Sequence, residues 1–137
     1  MRESIYFDSH MRGDGSVHYI MRSGDLILYL GGEVSASLAQ ALFERVRSEV
    51  RSGRIQNVVV EMSRAEYLDS TSVGTLIRLK SLLEERGGNL VICNLQKKVR
   101  GILSDMHLVQ YFRPVEAEPE AKRNRSLLAE IKPFSKD

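Results

Sequence analysis

The sequence holds a single cysteine in 137 residues. That excludes an internal disulfide and any cysteine-only metal site. The residue, Cys93, ends the apolar run Leu90-Val91-Ile92-Cys93, the setting of a buried strand thiol rather than a reactive one. Excess charge of one sign is also missing. The formal net charge is +2, and no basic block is long enough to follow a phosphate backbone, so direct contact with nucleic acid is not expected. No apolar stretch approaches the roughly 20 residues of a membrane-spanning helix, and MRESIYFDSH at the start has no apolar signal core. A cytoplasmic protein without membrane insertion is expected. Catalytic patterns are absent too: no Gly-rich phosphate loop, no Gly-x-Ser-x-Gly elbow, no pair of histidines at ligand spacing. His10, His18 and His107 are scattered, and Glu44, Glu49, Glu84 and Glu85 fall on solvated helix faces. Neither catalysis, a cofactor nor a metal is expected.

What is present is an ordinary apolar content of 42% beside 28% charged residues, enough for one domain with a real core. Residues 1–16 read as a polar lead-in in which Ser4 to Phe7 could form a short edge strand. Val17–Arg22 and Leu26–Leu30 are strand-like, with Ser23-Gly24-Asp25 as a hairpin turn and Gly31-Gly32 as the end of the second strand. Ser37 and Gln40 form a capping box, after which Leu38, Leu42, Val46 and Val50 mark one face of a helix stopped by Ser52-Gly53. Val58-Val59-Val60 predicts a strand covered on both faces, ending near Met62 and followed by a polar connection. A second helix is expected from Thr71 to Arg86, a strand over Leu90–Cys93, a third helix capped by Asn94, and a last strand over Val109–Phe112. Strands alternating with helices imply an α/β fold with parallel strands and right-handed crossovers. Residues 17–113 make up this domain. Residues 114–137 form a charged extension, partly disordered or carrying a short docking helix with Leu127, Leu128, Ile131 and Phe134 on one face.

The stretch the chain is organised around is QNVVVEMSRAEYLDSTSVGTLIRL, residues 56–79. Asp69-Ser70-Thr71-Ser72 precedes Val73, the first residue of the second helix's apolar stripe. One reading is helix capping alone, since Asp, Ser and Thr are preferred N-caps. The other is a site. Four small polar residues exceed what one cap needs, and they follow the C-terminal end of a buried parallel strand, where α/β sheets place ligands. A helix N-terminus also favours an anion such as a phosphate.

With these motifs in place, residues 17–112 resemble the STAS family, and within it the bacterial anti-sigma factor antagonists. The resemblance rests on LILYLGGEV, VVVEMSRAEYLDSTSVGTLIRL, GGNLVICNL and VRGILSDMHLVQYF, in that order. It implies a small mixed sheet with helices mainly on one side. It also implies a switch: a serine in an Asp-Ser-[Ser/Thr]-Gly motif is phosphorylated by a GHKL-type serine kinase that is itself the anti-sigma factor, and a PP2C-type phosphatase reverses this. Ser70 then matches the phospho-acceptor, Asp69 the motif aspartate, and Thr71 the second hydroxyl and backup acceptor. Partner contacts are expected at Glu33, Ser35, Asp69, Ser72 and Thr75. Two positions depart from the family pattern. Ser72 replaces the motif glycine, where a side chain is expected to crowd a partner's approach, and Ser35 stands where a surface-shaping aspartate is usual; Gly74 matches the second family glycine. Besides this antagonist reading, two others stay open: a non-phosphorylated STAS interaction module (scaffold or transporter-associated subunit), and a small-ligand α/β domain. Monomer and weak dimer are equally compatible with the sequence.

Overall fold

The computed structural model describes residues 15–116. Two strands, β1 (Ser16–Arg22) and β2 (Asp25–Val34), form an antiparallel hairpin. Ser23 and Gly24 turn it with φ of 50° and 88°, the left-handed geometry that lets a two-residue turn follow the strand twist. Helix α1 (Ala36–Arg51) carries the chain to β3 (Asn57–Leu68), and α2 (Ser70–Glu85) carries it to β4 (Asn89–Cys93). β2, β3 and β4 are parallel, and the sheet order is β1-β2-β3-β4. Two short helices, α3 (Lys97–Asp105) and α4 (Val109–Phe112), follow.

Strand periodicity sorts the side chains. Tyr19, Leu28, Val60 and Ile92 point to one face of the sheet, and all are buried in the core cluster. The helices meet them there: Leu42 and Val46 of α1, Leu76 and Leu79 of α2, Val99 and Leu103 of α3 belong to the same cluster. Each fully buried aliphatic contributes about 1.5–3 kcal/mol against its exposed state. Arg78 of α2 lies 4.2 Å from the centre of the Phe43 ring of α1, closing the helix pair on its outer side. The fold is therefore the expected single α/β domain, a mixed sheet with helices on one side.

Several boundaries differ from the sequence expectations. β2 does not end at Gly31-Gly32 but runs to Val34, passing two register shifts; Gly32 takes φ 68° there. β3 does not end at Met62. Ala65 and Leu68 stay buried while Ser63, Arg64, Glu66 and Tyr67 are exposed, so the polar-looking stretch is a half-buried strand paired with the extended β2. Ser35 rather than Ser37 caps α1, its hydroxyl accepting from the Leu38 N–H at 3.3 Å. Asn94 is not a helix cap: it sits at φ 60° and its amide donates to the Glu61 carboxylate at 2.9 Å. α3 begins after Gln96 with no side-chain capping bond. Val109–Phe112 is a helical turn, not a strand, because it buries Phe112 in the core. The pairing expected there falls to Val115, which bridges Cys93. The Ser4–Phe7 strand and the Leu127–Phe134 helix lie outside the described residues.

Candidate functional site

The long ends of β2 and β3 finish side by side, Val34 opposite Leu68. Both chains turn into helices at that level, so Ser35 and Asp69 are the N-caps of α1 and α2. Asp69 is extended, with φ −90° and ψ 174°, and its carboxylate accepts from the Ser72 N–H at 2.7 Å. This is the capping geometry that satisfies one of the free donors of a first turn and places negative charge on the helix's positive end.

The hydroxyls divide sharply. Ser70 and Thr71 occupy the first turn of α2 and are exposed. Ser72 is 1% exposed, and its hydroxyl donates to the Val34 carbonyl at 2.7 Å. Thr75 is 3% exposed and donates to the Thr71 carbonyl at 3.1 Å. Ser72 therefore does not crowd an approaching partner, as its replacement of a glycine suggested: it points inward and ties the start of α2 to the end of β2. Of the expected contact residues, Ser72 and Thr75 lie inside. Ser35 is half-buried and engaged in capping, Asp69 is half-buried at the rim, and Glu33 is exposed. The structure brings Glu33 next to Tyr67 in the β2–β3 register. Tyr67, 47% exposed, was missed in the sequence because its segment read as a connection; the buried Ala65 and Leu68 stand three apart, which is not the period-two alternation that marks a strand. Gly74, one helical turn beyond Ser70, is open: a Cβ placed there meets nothing within 4 Å.

The start of α2 thus brings together a capped helix terminus, two exposed hydroxyls and an open glycine, with an exposed tyrosine just before it in β3. The arrangement leaves two hydroxyls accessible, directly after the Asp69 carboxylate that caps the helix. Among the described residues no cluster of His, Cys, Asp or Glu is placed to hold a metal. A hollow of about 570 Å³ lies elsewhere, between the end of α2, β4 and α4, lined by Lys80, Glu84, Tyr111 and Arg113.

The model of the STAS domain family matches residues 17–121. The chain belongs to the STAS family. Among its relatives is BtrV of Bordetella bronchiseptica, named as an anti-sigma factor antagonist, 29% identical over 98 residues that cover 72% of this chain and 83% of the relative. Among solved structures, the anti-sigma factor antagonist SpoIIAA in its unphosphorylated form superposes with a TM-score of 0.69 at 18% identity, covering 81% of this STAS chain and 97% of SpoIIAA. The phosphorylated form of SpoIIAA from Bacillus gives 0.66 at 17% identity, with 81% and 99% covered. These two matches show the fold.

Proposed function

We propose that this STAS protein is an anti-sigma factor antagonist switched by reversible phosphorylation of Ser70. The observation that carries the reading is the division of hydroxyls at the start of α2. Ser72 and Thr75 are turned inward and hydrogen-bonded, while Ser70 and Thr71 are exposed beside a cap that fixes their turn. A phosphate on Ser70 adds roughly −1.5 to −2 charges at the favourable end of the helix dipole, so the domain keeps its fold. The match to SpoIIAA in both phosphorylation states supports that tolerance. The cost falls on whatever docks against the site. A penalty of about 3 kcal/mol at a close interface lowers affinity about a hundredfold.

In this reading the unphosphorylated protein binds a GHKL-type serine kinase that is also the anti-sigma factor, through Glu33, Asp69, Tyr67 and the exposed first turn of α2. A PP2C-type phosphatase restores the binding form. Thr71, exposed next to Ser70, is the second acceptor. The protein itself is not an enzyme in this scheme, and it works in the cytoplasm. The test is phosphosite mapping on protein isolated from its native cells, combined with partner capture by Ser70→Ala and Ser70→Asp variants. Partial, condition-dependent phosphate on Ser70, with Ser70→Ala holding the partner and Ser70→Asp releasing it, is the expected outcome. A stable partner with no phosphate on Ser70 or Thr71 under any growth condition overturns the switch and leaves a non-phosphorylated STAS interaction module.

A further inference from the structure

The hollow beside β4 lies along an edge of the sheet that is only half used. β4 comes last in the strand order, so β3 covers one side of it and the other side is an edge. Val115 occupies the far half of that edge. It bridges Cys93 in parallel, its N–H donating to the Ile92 carbonyl at 3.0 Å and its carbonyl accepting from the Asn94 N–H at 2.9 Å. Backbone groups of alternate strand residues point to the same side, so Leu90, like Ile92, turns its N–H and carbonyl away from β3. Among the described residues no strand lies beside Leu90 on that side. Its N–H is met only by the side chain of its neighbour Asn89, at 2.9 Å, a local substitute for a missing strand. No described group donates to its carbonyl.

The walls of the hollow add charge and an aromatic rim. Phe112 of α4 is turned into the core at 4% exposure, while Tyr111 beside it is 39% exposed. Lys80 reaches in from α2, 5.4 Å from the centre of the Tyr111 ring and bonded to Glu84 at 2.6 Å. Arg113 is exposed at the end of α4, where its φ of 49° turns the chain out of the helix. The one carboxylate lining the hollow is thus taken by Lys80, and Arg113 has no described carboxylate against it. Nor does the chain that follows turn back into the space: from its parallel bridge, Val115 heads the same way as β4, away from Asn89.

We propose that this groove receives a short extended segment of a partner protein, which adds to the free half of β4 and sets an acidic side chain against Arg113. One residue of an antiparallel segment exchanges both backbone bonds with Leu90, with the exposed Asn89 side chain swinging aside. Asn89–Val91 span about 10 Å, room for three or four partner residues. Backbone pairing supplies affinity, and the charge at Arg113 with the Tyr111 ring supplies selectivity. The groove lies at the opposite end of α2 from Ser70, on the order of 20 Å along the helix. It is therefore a second contact point that phosphate on Ser70 does not reach.

The experiment selects a phage-displayed library of random seven-residue peptides on the full-length protein, with counter-selection on Arg113→Glu. Gln110→Glu, at an exposed position lining the same hollow, brings in a like charge without touching the core and serves if Arg113→Glu fails to fold. Enriched peptides are expected to join an acidic residue to β-branched or aromatic ones. A synthetic peptide of the enriched sequence should bind about tenfold or more weakly to both variants. It should lose binding when its central amide is N-methylated, and should bind Ser70→Asp as it binds wild type. Its binding should shift the NMR signals of the Leu90 amide and the Asn89 side chain. No enrichment over the variant, enriched peptides without an acidic residue, or binding indifferent to N-methylation overturns the proposal. Protection of the Leu90 amide that rises with protein concentration in the absence of peptide assigns the edge to a second copy, and likewise refutes it.

Discussion

Ser72→Ala isolates what the serine does at a position where the family carries glycine. The substitution removes the buried 2.7 Å bond from Ser72 to the Val34 carbonyl and leaves that carbonyl without its donor. Stranding a buried acceptor costs about 1–3 kcal/mol. Alanine is the better helix former by roughly 0.5 kcal/mol, so the net loss is about 0.5–2.5 kcal/mol. Ser72→Gly loses the same bond and adds the conformational cost of glycine inside a helix, about 1 kcal/mol. The expected order of stability in urea unfolding is therefore wild type, then alanine, then glycine. Each kcal/mol corresponds to a melting shift of roughly 3–6 °C for a domain of this size. Capture of the partner should change less than twofold in Ser72→Ala, because the side chain is 1% exposed and faces β2. If Ser72→Ala unfolds with wild-type stability and binds the partner ten times more tightly, the serine is an obstacle on the surface and the reasoning fails.

Three further perturbations test the same geometry. Gly74→Ala should stabilise the protein by about 0.5–1 kcal/mol, since a Cβ there meets nothing and glycine is costly inside a helix; a loss of partner affinity in this stabilised variant would map a close contact to that spot. Gly88→Ala should destabilise by about 1–3 kcal/mol or more, because the new Cβ would overlap the Gln56 carbonyl, a backbone atom that cannot swing away; unchanged urea unfolding would show the Gly88 backbone free to move. Burial, aided by Arg64, holds the His18 pKa below 6.5. The unfolded chain then binds the proton more readily, so stability is fully present above pH 6.5 and declines as pH falls through the lower folded value. Comparing unfolding at pH 7.5 and 5 in wild type and His18→Gln should show a smaller drop in the variant, and equal drops would dismiss the effect.

How much was legible in the sequence depends on how far each signal was local. The stripe Val73, Leu76, Leu79 and Leu83 and the cap at Asp69 are encoded within one helix, and both stand in the structure. Residues 63–68 were not readable as a strand, because SRAEYL carries only two buried residues and its pairing is supplied by the far end of β2. Val109–Phe112 shows the opposite limit: four apolar residues fit a strand or a helical turn equally, and packing of Phe112 decides. At the site, the sequence pointed to the residues but not to their directions. Ser70 and Ser72 differ by two positions, about 200° around a helix, and only the bond to Val34 shows which one faces in. The run Val58-Val59-Val60 implied equal cover on both sides, but Val58 and Val60 are buried under the helices while Val59, on the other face, is half-buried.

The strand order has a consequence for what can bind. In a doubly wound sheet, a crevice opens where one crossover leaves to the left of a strand and its neighbour leaves to the right. Here the order β1-β2-β3-β4 never reverses, and both crossover helices lie on the same face. Neighbouring loops at the top of the sheet are therefore never pulled apart. The fold presents a shelf where a nucleotide-binding sheet presents a slot. That shelf gives a small molecule little to be enclosed by, whereas a protein surface can lie across it.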